Sequence, residues 1–136
     1  MLRRLREKEE EIARILAELA EESAKGIPVL VEGKKDEETL RILGVEGPIM
    51  KVKTGGKSFL DVVLGLENSR ISKVILLLDF DRRGKQGTNR LRQNIERAGI
   101  EVNLEFWRGL LSLLGKDVQC VEGITAYLEN LRTRIV

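Results

Sequence analysis

Leu2, Leu5, Ile12, Leu16 and Leu19 recur at helical intervals with Arg and Glu filling the positions between them. A stripe of this kind predicts an amphipathic helix over residues 1–25. Arg3 with Glu7, Glu10 with Arg14 and Glu21 with Lys25 stand four apart and support it as charge pairs. Such a helix either packs on its own domain or pairs with another, supplied by a second copy in a homodimer or by a protein partner. A small domain needs the buried area, which favours the first. Gly26 suits the helix stop and Pro28 opens the next element.

From there the period changes to short apolar runs alternating with amphipathic stretches. That alternation argues for βαβ units and a mostly parallel sheet. Strands are expected at residues 27–31, 49–53, 74–78 and 101–106, and helices at 35–43, 58–66, 88–98 and 124–132. The unbroken Val74-Ile75-Leu76-Leu77-Leu78 run suits a strand covered on both faces. Phe106 and Trp107 read as end-of-strand core aromatics, and residues 107–123 show no period that assigns them. Repeats, low-complexity tracts and interdomain linkers are lacking, so the 136 residues read as one domain.

Two carboxylate positions stand out against this pattern. Glu32 follows the apolar Val29-Leu30-Val31, and Asp79 and Asp81 follow the third strand. In open α/β sheets ligands bind outside the carboxyl ends of the strands. For the three acids to meet there, strands one and three must be neighbours, which gives the order 2-1-3-4. In extended backbone Asp79 and Asp81 point to one side and Phe80 to the other. Two such carboxylates repel, and a divalent cation relieves the repulsion. Mg²⁺, or Mn²⁺ in its place, suits one or two protein carboxylates with water and phosphate oxygens completing its shell.

Composition narrows the chemistry further. The chain has no His, which excludes Ser-His-Asp and Cys-His nucleophilic sites and the usual zinc sets. Cys120 is the single cysteine, so no internal disulfide forms, and it reads as a small core residue. No apolar run reaches the roughly 18 residues of a membrane span, and the N-terminus lacks a signal-peptide pattern. A soluble, cytoplasmic protein with no membrane role is expected. Net charge is only +2, yet Arg82, Arg83, Lys85, Arg90, Arg92 and Arg97 are opposed in their stretch by Glu96 alone. Either a local anion site or a solvated, Arg-rich helix face follows. The candidates for contact with nucleic-acid phosphates are Arg82, Arg83 and Lys85 beside the acids and Lys34, Lys51, Lys53 and Lys57 at the other strand ends.

Val29-Leu30-Val31-Glu32-Gly33-Lys34-Lys35-Asp36 followed, after one strand and helix, by Leu77-Leu78-Asp79-Phe80-Asp81-Arg82-Arg83-Gly84 resembles the Toprim family. That family is shared by topoisomerases, bacterial-type primases, recombination-repair proteins and 5S ribosomal RNA maturation ribonucleases. The resemblance covers roughly residues 27–110. It implies a Rossmann-like three-layer sandwich with an N-terminal helix at 1–25 and a C-terminal extension at 111–136. It also implies Glu32 as general acid/base and Asp79 and Asp81 as the metal pair, with Glu32 a further member of the metal-binding acidic cluster. The size matches small stand-alone members of archaea and bacteria. The function so implied is Mg²⁺-dependent cleavage or transfer of phosphodiesters in RNA or DNA, with RNA processing ahead. The alternative is a nucleic-acid-binding or assembly module that keeps the metal site and leaves catalysis to a partner.

Two other motifs are weaker. Thr54-Gly55-Gly56-Lys57-Ser58 resembles a nucleotide-binding P-loop, but Lys51 stands where its first glycine belongs. An Asp-x-Asp phosphatase of the haloacid dehalogenase type uses a nucleophile on its first strand, whereas this pair falls on the third. Tyr127 reads as a packing aromatic of the last helix.

Overall fold

The computed structural model describes residues 1–53 and 58–135. Thr54-Gly55-Gly56-Lys57, with the P-loop-like motif and the Lys57 phosphate contact, lie outside the described residues. Helix α1 (Leu2–Ala24) leads into β1 (Val29–Val31), α2 (Lys34–Ile42), β2 (Ile49–Lys51), α3 (Phe59–Asn68) and β3 (Lys73–Leu76). Then follow α4 (Arg82–Arg97), β4 (Glu101–Asn103), α5 (Glu105–Leu114), a 3₁₀ turn (Val121–Gly123) and α6 (Ile124–Ile135). The four strands are all parallel in the order β2-β1-β3-β4. This is the α/β, Rossmann-like arrangement and strand order expected from the sequence.

The middle of the sheet is apolar because it is covered on both sides. Val29, Leu30, Val31 and the run from Val74 to Leu78 are fully buried. Regular pairing ends at Leu76, but the main chain stays aligned beyond it: Leu77 donates its N–H to Leu30 O at 2.8 Å. On the other flank Val52 donates to Val31 O and Lys53 to Glu32 O, at 2.9 and 3.1 Å. These extra bonds carry Glu32 and Asp79 outward on rigid backbone.

Helix α1 packs on its own domain. Ile12, Ile15, Leu16 and Leu19 are buried, and the helix lies against α5 and α6. Arg132 reaches Glu9 at 3.2 Å, and the Lys8 ammonium lies 5.3 Å from the centre of the Tyr127 ring. That places Tyr127 among packing contacts. Of the three charge pairs, Arg3–Glu7 forms; Arg14 instead bonds Glu11 and Glu18, and Lys25 bonds Glu22. Gly26 ends the helix with φ +92°, a conformation that favours glycine.

Most element ends shift by a few residues from the sequence reading, and three departures bear on the site. α4 begins at Arg82, six residues before Thr88, because Asp81 caps it and no apolar residue marks its first turn. β4 ends at Asn103 instead of Phe106, so Phe106 and Trp107 belong to α5, where both are buried. Residues 107–123 comprise the rest of α5 and the turn that crosses the carboxyl edge of the sheet.

Candidate functional site

Glu32 is the first residue past β1 and is buried beside the Lys53 ammonium, with Nζ to Oε2 at 2.6 Å. The two residues also share the backbone bond between their strands. Lys53, proposed as a phosphate contact, is therefore first of all a counter-ion for Glu32. Lys51 is likewise engaged, 3.4 Å from Glu37. Lys34 opens α2 and is exposed.

Asp79 and Asp81 stand at the end of β3 with different roles. Asp81 is the N-cap of α4: its Oδ1 accepts from the Gly84 N–H at 2.7 Å. Asp79 is partly buried, and among the described residues no hydrogen bond or ion pair reaches its carboxylate. Burial, and then the negative charges of Glu32, Asp36 and Asp81, push its pKa up to about 7; Lys53 pulls weakly the other way. One carboxylate is thus crowded by three others and compensated by one distant cation.

Gly84 explains why a glycine falls three residues after Asp81. A Cβ there would lie 2.2 Å from Asp79 O and 2.8 Å from Asp79 Cβ. The first turn of α4 can close against the Asp79 backbone only with no side chain at that point. Gly84→Ala is expected to cost about 1–3 kcal/mol through overpacking, read as a lower denaturant midpoint. Asp81→Ala should cost about 1 kcal/mol, while Asp81→Asn, an equally good cap, should cost little.

Two further residues enter this edge, one that the sequence reading passed over and one that it placed in the core. Asp36, in the first turn of α2, is buried and accepts from Gly33 N–H and Glu122 N–H, each at 3.1 Å. Burial raises its pKa, and those two N–H groups oppose the rise. An acid three residues after a strand-end glycine is the signature of a helix-start acid, and that signal was present in Gly33-Lys34-Lys35-Asp36. Cys120 is only partly buried and belongs to this edge instead of the core: one ligand atom each from Asp36, Asp79 and Cys120 lie within 4.8 Å of one another. Nothing in the local sequence announced it, since it arrives with the segment that had no period. That segment is fixed by Phe80 N–H to Gln119 O at 2.7 Å and by Trp107 Nε1–H to Leu78 O at 3.0 Å. Lys35 to Glu122 at 3.8 Å closes the same edge.

Glu32 and Asp81 stand outside the tight Asp36, Asp79, Cys120 group. The donor chemistry differs between the two sets. Both Asp36 oxygens already accept backbone N–H groups. Burial, with Asp79 and Asp36 nearby, pushes the Cys120 thiol up, away from the thiolate a metal needs. A hard cation takes oxygen ligands. Asp79 and the second oxygen of Asp81 accept no hydrogen bond among the described residues and are oxygen donors of that kind, with Glu32 beside them, although these three acids are not gathered as tightly as the Asp36, Asp79 and Cys120 group.

The basic residues divide between two flanks of α4. Arg83, with Gln86, Gly87 and Arg90, lines a cleft of about 170 Å³ that also contains Glu32, Lys53 and Phe59. Lys85 lies on the opposite flank, in a cleft of about 210 Å³ with Arg92, Trp107 and Arg108. Arg82 is exposed between them. Of the seven proposed phosphate contacts, Arg83 and Lys53 share a cleft with Glu32 among the described residues, and Lys53 is already the Glu32 counter-ion.

No protein-family model matches the chain. It is similar to a protein of Methanocaldococcus jannaschii, 32% identical over 122 residues that cover 89% of this chain and 92% of that one. A protein of Archaeoglobus fulgidus is 36% identical over 114 residues, covering 84% and 86%. Among solved structures, a protein of Aquifex aeolicus superposes with a TM-score of 0.67 at 28% identity, covering 80% of this chain and 94% of that one.

Proposed function

The chain belongs to the UPF0292 family, whose name both archaeal relatives carry, and we propose that it is a Toprim-type, Mg²⁺-dependent enzyme that cleaves or transfers phosphodiesters in nucleic acid. The observation that carries this reading is Asp79: a partly buried carboxylate with no partner among the described residues, set among Glu32, Asp36 and Asp81 at the carboxyl edge of a parallel sheet. A site that raises a carboxylate to about 7 by burial and then by neighbouring like charges suits a cation.

Asp79 and Asp81 would hold the ion, Mg²⁺ or Mn²⁺, with Glu32 adjoining it. When bound, the ion neutralises the phosphate and favours attack by an oriented oxygen. Glu32 does the proton work. Beside the Lys53 ammonium, it would take the nucleophile's proton as base and hand a proton to the leaving oxygen as acid. Arg83 positions the flanking phosphate from the first turn of α4, in the cleft it shares with Glu32. RNA remains a substrate to be compared with DNA, and the cytoplasm is the proposed location.

The test is cleavage of labelled RNA and DNA strands and duplexes by the purified chain with Mg²⁺, Mn²⁺ or chelator. Metal-dependent products that vanish with Asp79→Asn are expected. Metal binding and nucleic-acid binding without products would instead favour a binding or assembly module that relies on a partner for catalysis.

A further inference from the structure

The exposed side of α4 carries a pattern that extends well beyond Arg83, the one residue of this helix given a phosphate role at the acidic site. Its outermost stripe runs Arg82, Gln86, Asn89, Gln93 and Arg97, at spacings of four, three, four and four, and every member is exposed. This is an amide-rich centre between two arginines, on a helix whose single carboxylate is Glu96. On each side of that stripe lies one of the two clefts. Arg83 and Arg90 line the first, two helical turns apart; Lys85 and Arg108 line the second. Among the described residues none of these four cations forms an ion pair, whereas Arg3, Arg14 and Lys25 of the first helical segment all do. Arg92 is the exception on α4, engaged by Glu96 at 2.7 Å.

We infer that α4 is a recognition ridge that enters the major groove of duplex DNA, with Arg83 and Arg90 on one strand's phosphates and Lys85 and Arg108 on the other's. Three features of the ridge choose this partner. A single strand follows one flank and leaves the cations of the other unneutralised. A helix with its side chains is about 10–12 Å across, which matches a B-form major groove of about 12 Å. The major groove of an A-form RNA duplex is too deep and narrow to admit it. Asn89 Oδ1 accepts from Arg92 Nη2 at 2.8 Å, which leaves Gln86 and Gln93 as the outward amides of the kind that reads adenine bidentately in that groove, and arginine reads guanine. The docking also sets the N-terminus of α4, with Asp81 at its cap, against the strand held by Arg83. The inference takes its ligand class from the proposed function but requires no cleavage.

The experiment measures anisotropy of a labelled DNA duplex, the matching RNA duplex and each single strand, in chelator and across a salt series. Proteins compared are the wild type, Arg83→Ala plus Arg90→Ala, and Lys85→Ala plus Arg108→Ala. All four positions tolerate alanine as exposed or edge sites on helices, where alanine is the best helix former. The DNA duplex should bind at least about ten-fold more tightly than the RNA duplex. Each double variant should lower the slope of log affinity against log salt by about one to two, at roughly 0.9 per phosphate. Loss confined to one flank, or equal or tighter binding of single strands or RNA duplex, overturns the ridge. The two readings fail separately: two-flank DNA binding by a protein that never cleaves with Mg²⁺ removes the enzyme and leaves the ridge. Metal-dependent cleavage of strands with no preference for the DNA duplex does the reverse.

Discussion

Asp79→Asn is expected to abolish divalent-metal binding and, in the same protein without metal, to raise the melting temperature at pH 8. The two effects have one origin. Burial and the charges of Glu32, Asp36 and Asp81 push the Asp79 carboxyl up to about 7 in the folded chain, while in the unfolded chain it titrates near its ordinary value of about 4. Below roughly pH 4 both states hold the proton and the group is neutral to stability. Between there and about 7 the folded state binds the proton and the unfolded state does not, so stability falls as pH rises. Above about 7 the whole penalty is present. The full shift would be worth on the order of 4 kcal/mol, and solvent around a partly exposed carboxylate screens this to about 1–2 kcal/mol.

Asparagine keeps the shape and removes the charge. In chelator the variant should therefore melt about 3–8 °C above the wild type at pH 8 and match it at pH 4. Added Mg²⁺ should stabilise the wild type by mass action and leave the variant unmoved. Calorimetric melts at the two pH values, with and without Mg²⁺, check all four outcomes. A variant that melts lower at pH 8 without metal would mean that Asp79 has a stabilising partner and is not a strained ligand.

The same contrast between backbone and contacts explains what could be read from the sequence. Strand order followed from chemistry: Glu32 and Asp79 meet only if β1 and β3 are neighbours, and they are. The apolar run from Val74 to Leu78 announced a doubly covered strand, and every one of its residues is fully buried. What escaped was long-range. Asp36 accepts an N–H from Glu122, 86 residues away, and Phe80 donates to Gln119. Such bonds leave no local period. The start of α4 escaped for a different reason: its first turn is Arg82-Arg83-Gly84-Lys85, held by the Asp81 cap and by the tight Gly84 contact instead of by apolar burial. The early basic residues were legible as a cluster, but their division between two flanks appears only once the helix is seen to begin at Arg82.

Glu32→Gln should act in the opposite sense to Asp79→Asn: metal still binds, and turnover falls by about 10²–10⁴, the usual worth of a positioned acid or base. Glu32 is held by the backbone bond to Lys53 N–H and by the Lys53 ammonium at 2.6 Å, so glutamine can keep the fold while losing the proton acceptor. Lys53 loses its counter-ion in that variant, and its own effect must be separated. Lys53→Met keeps the carboxylate and removes the cation beside it. It should lower turnover less than Glu32→Gln, because the base is still present, and it should strengthen metal binding, because a positive charge leaves an acidic site. Single-turnover rates at saturating Mg²⁺, with metal affinity measured in parallel by calorimetry, distinguish the cases. Equal loss of metal affinity in Glu32→Gln would make Glu32 a ligand, and unchanged turnover would remove it from the chemistry. A Lys53→Met loss as large as that of Glu32→Gln would mean the ion pair, and not the carboxylate alone, is what the reaction requires.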